Sequence, residues 1–183
     1  MPRYHLSTCQ TRGGKIYELR SFSAEDAEAL QNFFHQSALE STHTLHYKEK
    51  NIPVSKIKER CNQSLESRCD LFLGAFDQEK IIGQILFRVS HPEHPWVKHV
   101  GEFGMTVLKD YWGQGVGSAL LEQMEDFANS IGITRIEAKV RVSNDRGIAL
   151  YKKSGYEIEG SRQKAALIDG VFQDEFYIAK LLS

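Results

Sequence analysis

The sequence lacks any long apolar run. Its longest apolar stretches, such as those around Ile81 and Leu86, extend over only a few residues. A membrane-spanning helix needs about 20 apolar residues in succession, so this pattern argues against a chain that crosses a membrane on helices. Residues 1–5 are also not followed by the apolar core of a signal peptide, and we expect none.

Cysteine is scarce as well. The chain has three cysteines, Cys9, Cys61 and Cys69, with no Cys-x-x-Cys pair and no closely spaced framework. This usage is typical of reduced thiols in a cytoplasmic protein. The histidines form no His-Glu-x-x-His motif, and the cysteines lie far from them in sequence, so we expect no metal site.

Neither sign of charge is in surplus. Lys and Arg number 23 and Asp and Glu number 24, which gives a formal net charge of −1. Nucleic-acid binders usually gather a basic surplus on one face. The composition therefore argues against nucleic acid as a partner, and the absence of apolar runs argues against a membrane.

The residues that are present have the balance of an ordinary globular domain. Of 183 residues, 41% are hydrophobic and 26% are charged. At this length we expect a single domain over residues 1–183, without internal repeats. Residues 1–15 are polar and contain two successive glycines, so we expect a loose segment or a short edge segment there.

Hydrophobic periodicity predicts a mixed α/β domain. The predicted strands are residues 16–20, 71–76, 81–89, 99–107, 135–142, 156–165 and 171–182. Helical spacing of apolar residues predicts four helices, which begin near residues 23, 54, 116 and 145. Short polar links predict hairpin turns at residues 77–80 and 169–170.

A glycine-rich turn is the most informative segment. Gly113, Gly115 and Gly117 alternate between a predicted strand that ends at Val107 and the helix that follows. Glycine permits positive φ and lets a ligand approach the backbone closely. The first amides of a helix lack intrahelical acceptors and lie at the positive end of its dipole, so this turn predicts a phosphate site. The alternative is a tight turn whose glycines only allow close packing.

Two common nucleotide-binding motifs do not match this turn. A P-loop has a lysine between its last glycine and the Ser or Thr, but Ser118 directly follows Gly117. A Gly-x-Gly-x-x-Gly motif needs a third glycine where the chain has Ser118 or Leu120. The turn therefore favours another kind of phosphate-bearing ligand.

Three segments together resemble one family. Residues 112–117, Trp-Gly-Gln-Gly-Val-Gly, resemble the pyrophosphate loop Arg/Gln-x-x-Gly-x-Gly/Ala of the GNAT N-acetyltransferase superfamily. Asn144 and the segment Leu-Tyr-Lys-Lys-Ser-Gly-Tyr at 150–156 follow at that superfamily's spacing. Trp112 departs from the Arg/Gln position, which we expect to lower affinity without removing the site. The pattern is nearest the branch of ribosomal-protein N-terminal, spermidine and antibiotic acetyltransferases.

The resemblance covers about residues 17–182 and implies both a fold and a cosubstrate. The implied GNAT-like α/β fold has a mixed, mostly antiparallel sheet of about six or seven strands flanked by about four helices. The implied cosubstrate is acetyl-CoA, with loop amides on its pyrophosphate and with strand-edge groups and Asn144 on its pantetheine arm. The implied binding residues are Met105, Thr106, Val107, Gln114, Gly115, Val116, Gly117, Ser118, Asn144 and Tyr151.

The resemblance also implies direct attack of a primary amine on the thioester in a ternary complex. Tyr151 is the predicted acid that protonates the leaving thiolate, and its alternative role is to pack a helix on the sheet. Glu102 is the predicted base, with His99 or water as alternatives. For Asn144 the alternative is a helix N-cap.

The acceptor remains open between several classes. We expect an amine-bearing small molecule, and a protein N-terminus or a lysine is the alternative. A non-catalytic acyl-CoA sensor would keep the loop without turnover. The superfamily resemblance favours a homodimer.

Overall fold

Eight strands form one sheet, and four helices lie against it. The computed structural model describes residues 7–44, 47 and 50–182. The strands are β1 (Ser7–Gln10), β2 (Ile16–Ser21), β3 (Leu71–Asp77), β4 (Lys80–Arg88), β5 (Val100–Val107), β6 (Arg135–Arg141), β7 (Glu157–Ile168) and β8 (Val171–Leu181). The helices are α1 (Ala27–Glu40), α2 (Val54–Glu66), α3 (Val116–Ser130) and α4 (Asp145–Lys153).

The predicted α/β class is confirmed, with one strand more than periodicity predicted. The additional strand is β1, within the predicted edge segment; residues 1–6 of that segment lie outside the described residues. Its sequence, Ser-Thr-Cys-Gln, has no apolar alternation, so it carried no strand signal. It forms instead because its backbone pairs antiparallel with β2, with Cys9 opposite Tyr17.

The strand order is β1-β2-β3-β4-β5-β6-β8-β7. All neighbouring pairs are antiparallel except β5 and β6, which are parallel. The two predicted hairpins are confirmed and join β3 to β4 and β7 to β8. Asp169 and Gly170 have φ values of 48° and 78°, as a two-residue type I′ turn requires.

Helices cover both faces of the sheet. α3 packs on one face, where Phe127 contacts Phe87 of β4 with ring centroids 6.0 Å apart. Side chains alternate along a strand, so Gln84 and Leu86 of β4 point to the opposite face, which α1 and α2 cover. The strand β4 therefore separates the core under α3 from a space under α1 and α2.

The parallel strands β5 and β6 are paired over only part of their length. Register pairs join only residues 100–102 of β5 to residues 135–137 of β6. Beyond them β5 continues to Val107 and β6 to Arg141 without pairing to each other. The two strands thus leave an opening in the middle of the sheet, and backbone groups along one side of β5 lose their strand partner.

The helices are short. α3 has 15 residues and α1 has 14, whereas a helix needs about 20 residues to cross a bilayer. Within the ranges that the structure describes, no helix is long and apolar enough to span a membrane.

Two glycines of β5 offer a test of the packing. A Cβ on Gly101 would overlap the buried ring of Phe87, whereas a Cβ on Gly104 would meet nothing within 4 Å. Gly101→Ala should therefore lower the free energy of unfolding by about 1–3 kcal/mol, the usual cost of overpacking a core. Gly104→Ala is the matched control and should leave stability nearly unchanged. Urea unfolding of both variants checks this, and equal losses would contradict the packing described.

Candidate active site

The glycine-rich turn presents unused backbone amides. Gly113 and Gly115 have φ values of 72° and 96°, which glycine adopts without strain. The first bond into α3 runs from the Ala119 amide to the Gly115 carbonyl, 3.1 Å away. No acceptor among the described residues engages the amides of residues 113–118. These N–H groups lie at the positive end of the α3 dipole, an arrangement that suits a phosphate.

Glycine serves different purposes along this turn. A Cβ on Gly115 would meet nothing within 4 Å, so this residue faces open space and is needed for its positive φ. A Cβ on Gly117 would lie 2.9 Å from Cδ2 of Leu150 in α4. Close packing therefore explains Gly117, while a left-handed backbone conformation explains Gly115.

Trp112 braces the turn. Its indole Nε1 donates to the carbonyl oxygen of Val107 at 2.7 Å, which ties the turn to the last residue of β5. The guanidinium of Arg146, in the first turn of α4, lies over the Trp112 ring with Cζ 4.9 Å from the ring centroid. Arg146 Nη1 would be 3.9 Å from a Cβ on Gly113. The site thus has a cation beside the turn, although the expected Arg or Gln is a tryptophan.

Sequence reasoning missed Arg146. Its only signal was its place two residues after Asn144, at the start of a predicted helix. That the start of α4 meets the turn is a tertiary fact, which local spacing does not show. Arg146 is exposed and forms no ion pair with any residue that the structure describes.

A cavity of about 1300 Å³ lies under α1 and α2 and reaches the opening between β5 and β6. Five of the predicted site residues line it: Glu102, Met105, Thr106, Asn144 and Tyr151. Val107 does not line it; it pairs with Gly83 of β4, and its carbonyl accepts the Trp112 bond. The structure thus collects residues of β5, β6 and α4 around one space beside the glycine-rich turn.

Tyr151 lies in an aromatic cluster at the inner end of this cavity. Its ring centroid is 5.6 Å from that of Phe103 and 5.9 Å from that of Tyr156. The side chain is buried, and burial raises the pKa of the phenol to about 12. Tyr151 therefore packs α4 on the sheet and also keeps its proton at neutral pH, the state that a general acid needs.

Asn144 is the N-cap of α4. Its Oδ1 accepts the backbone N–H of Gly147 at 3.0 Å, which satisfies one free amide of the helix start. Its Nδ2 has no acceptor within the described part of the chain, and the residue lines the cavity. The N-cap role is confirmed, and the side-chain NH₂ group is left to bind a ligand.

Glu102 lines the cavity. Its Oε1 accepts a hydrogen bond from Ser90 Oγ at 3.2 Å, and the side chain is exposed. In the sheet it lies opposite Arg88 of β4 and opposite Glu137 of β6. Its rival as a base, His99, does not line the cavity.

Gln84 is a second residue that sequence reasoning missed. It is 6% exposed on β4 and lines the cavity, and its Oε1 has no hydrogen-bond partner among the described residues. A buried amide oxygen without a partner is costly, so it is placed to accept a bond from a bound molecule. The available signal was one polar residue inside an otherwise apolar strand.

Metal ligands do not cluster in this region. Among the residues that the structure describes, no three His, Cys, Asp or Glu side chains lie close enough to hold a metal ion. The three cysteines are unpaired.

Comparison with known proteins identifies relatives of part of the chain. L-amino acid N-acetyltransferase AaaT of Escherichia coli is 36% identical over 102 residues, 55% of this chain and 62% of that protein. N-alpha-acetyltransferase RimI of Mycobacterium tuberculosis is 37% identical over 109 residues, 60% of this chain and 66% of that protein. The matched regions thus span slightly less than two thirds of each relative.

A solved structure shares the fold along nearly its whole length. The acetyltransferase of the GNAT family from Streptococcus pneumoniae superposes with a TM-score of 0.85 and 28% identity, covering 91% of this chain and 99% of that chain. The profile of the Acetyltransferase (GNAT) family matches residues 27–156, a range that includes the glycine-rich turn, Asn144 and Tyr151. The resemblance found in the sequence is thereby confirmed: the chain belongs to the acetyltransferase (GNAT) family.

Proposed function

We propose that the protein is an acetyl-CoA-dependent N-acetyltransferase that transfers the acetyl group to a primary amine. One observation carries the proposal. The free amides of residues 113–118 follow β5, and residues 102–106 of β5, beside the β5–β6 opening, line the cavity that Tyr151 also lines. A pyrophosphate on those amides would direct a long thioester arm into that opening.

The chain offers contacts for each part of acetyl-CoA. The amides of Gln114, Gly115, Val116, Gly117 and Ser118 would hold the pyrophosphate, and Arg146 would add the cation that Trp112 does not supply. The pantetheine arm would lie along residues 103–107 of β5, whose side facing β6 has no strand partner, as an added strand does. The Asn144 Nδ2 group would donate to that arm.

Transfer then needs three proton movements: one from the ammonium before attack, one from the nitrogen to solvent after attack, and one to the leaving thiolate. The amine must reach the thioester uncharged, although a free alkylamine has a pKa of about 10.4; Glu102, directly or through water, would take its proton. The nitrogen attacks the carbonyl carbon, the C–N bond forms and the C–S bond breaks. Tyr151 would give a proton to the leaving thiolate, since its raised pKa keeps it protonated until that step.

The acceptor class has two candidates. The name of the E. coli relative refers to L-amino acids, and that of the Mycobacterium relative to N-alpha-acetylation. A small amine is supported here by the cover of α1 and α2 over the cavity. A protein N-terminus is the second candidate. We also propose a cytoplasmic location, which the unpaired cysteines support.

Release of free thiol from acetyl-CoA tests the function. Purified protein should release thiol when acetyl-CoA is mixed with an accepted amine, and should do so faster than without the amine. Acetyl-CoA that binds without release across amines, amino acids and peptides would instead support a non-catalytic sensor.

Ser118→Asp tests the amide-lined turn. Ser118 is exposed in the first turn of α3, where an aspartate stabilises a helix but repels a phosphate. The dissociation constant for acetyl-CoA should rise at least about tenfold while Tm stays equal or increases. Ser118→Asn is the uncharged control. Calorimetric titration measures both, and unchanged affinity for the Asp variant would contradict a phosphate site here.

Arg146→Gln tests the cation beside the turn. Losing one charge-assisted contact should weaken acetyl-CoA binding about fivefold to tenfold and should reduce the salt dependence of binding. Affinity for S-acetyl-pantetheine, which has no phosphates, serves as the control and should change little. An equal loss for both ligands would show that Arg146 acts on packing and not on phosphate.

Tyr151→Phe tests the acid. Removing the hydroxyl should lower kcat about a hundredfold or more while the dissociation constant for acetyl-CoA changes little. Tyr156→Phe is the matched control, because Tyr156 is also buried but does not line the cavity. Single-turnover thiol release compares the two variants; wild-type turnover of Tyr151→Phe would exclude its acid role.

A further inference from the structure

The cavity carries an excess of positive charge. Eight lysines and arginines but five glutamates are among the described residues that line it. Some of this charge is used internally: Arg135 pairs with Glu137 and Glu159, and Arg162 pairs with Glu175. Other cations have no such partner, and a pair of them lies on α2 and β4 in the wall of the cavity.

Arg60 of α2 and Arg88 of β4 are this pair. Neither forms a hydrogen bond or ion pair with any residue in the described ranges, although Arg60 is half-buried. Both side chains line the cavity, and burial together with the charge of Arg88 lowers the pKa of Arg60. Asp70 is the nearby acid; it forms no ion pair with either arginine among the described residues, and burial raises its pKa. The two arginines and Asp70 carry a formal charge of +1, and Glu102, the register partner of Arg88, is the other acid of this region.

Arg88 also lies opposite the predicted base. Arg88 and Glu102 are register partners on adjacent antiparallel strands and point to the same face. Such partners have Cβ atoms about 5 Å apart and usually pair when oppositely charged. Here Glu102 accepts from Ser90 instead, and Arg88 interacts with the charges of Arg60 and Asp70. A cationic and an anionic group thus stand side by side, both available to a ligand.

We propose that the acceptor is a free α-amino acid, whose carboxylate binds Arg60 and Arg88 while its amine faces Glu102. The proposal rests on the acetyltransferase function above. An α-amino acid carries its ammonium and carboxylate on one carbon, and this matches the neighbouring charges on β4 and β5. A polyamine has no carboxylate, and the α-carboxyl of a protein N-terminal residue is consumed in its peptide bond.

The apolar side chains that line the cavity indicate which amino acids the protein would accept. Phe34 of α1, Ile57 of α2 and Leu86 of β4 also line the cavity. An apolar amino-acid side chain would bury against them, since apolar surface removed from water is favourable. L-leucine and L-phenylalanine are therefore the first probes.

Thiol release with matched acceptors tests the assignment on the full chain. The acceptors are L-leucine, L-phenylalanine, their carboxamides, spermidine and a hexapeptide that begins with alanine. Each carboxamide keeps the amine and the side chain but removes the charge of the carboxylate. We expect kcat/KM for the acids to exceed that for the carboxamides at least about tenfold, the scale of one lost charge-assisted hydrogen bond.

Two variants test whether Arg60 and Arg88 distinguish the amino acid from its carboxamide. Arg60→Gln and Arg88→Gln should each lower the acid-to-carboxamide ratio at least about tenfold, mainly through KM for the acid. Arg68→Gln is the matched control, because Arg68 is exposed and does not line the cavity. The dissociation constant for acetyl-CoA, unchanged in all three, shows that the variants are folded.

Different results overturn the amino-acid assignment alone and the acetyltransferase function as well. Equal or better turnover of the carboxamides, spermidine or the hexapeptide overturns the amino-acid assignment and leaves the acetyltransferase function standing. The same holds if the acids are preferred but neither arginine variant changes the ratio. No thiol release with any acceptor, from protein that binds acetyl-CoA, overturns the function and the assignment together.

Discussion

The separation of β5 from β6 is the constraint on which the rest of the site depends. Three register pairs hold the strands parallel at residues 100–102 and 135–137, and beyond them each strand keeps only its other neighbour. An unbroken ladder would use the backbone of β5 and close the sheet. Because it stops, β5 has unpaired backbone groups between the glycine-rich turn that follows it and the charged cavity that its residues 102–106 line.

Much of the fold could be predicted from the sequence because most of its elements carry strong local patterns. The apolar runs of β3 and β4 and the helical face of α3 are examples, and Asp169-Gly170 has the composition of its turn type. The exception, β1, is polar and forms through pairing with β2 alone. The separation of β5 and β6 has no signal in either strand, since it follows from how far two distant segments pair.

The residues of the site also differ in whether a local sequence pattern predicts them. Gly115, Asn144 and Tyr151 belong to local motifs, and the structure gives each a position that its residue type explains. Arg146, Gln84 and the pair of Arg60 and Arg88 gain their significance only from contacts between elements distant in sequence. Residues that shape the donor side of such a site are thus easier to find by spacing than residues that select the acceptor.

The hydrogen bond from the Trp112 indole to the Val107 carbonyl affects how the glycine-rich turn binds a ligand. The bond fixes the turn to the end of β5 through a contact within the chain itself. A recognition loop that is already in its final shape loses little conformational entropy when its ligand arrives. Discrimination in this protein would then come from complementarity to a preformed surface, and association would need no slow rearrangement of the turn.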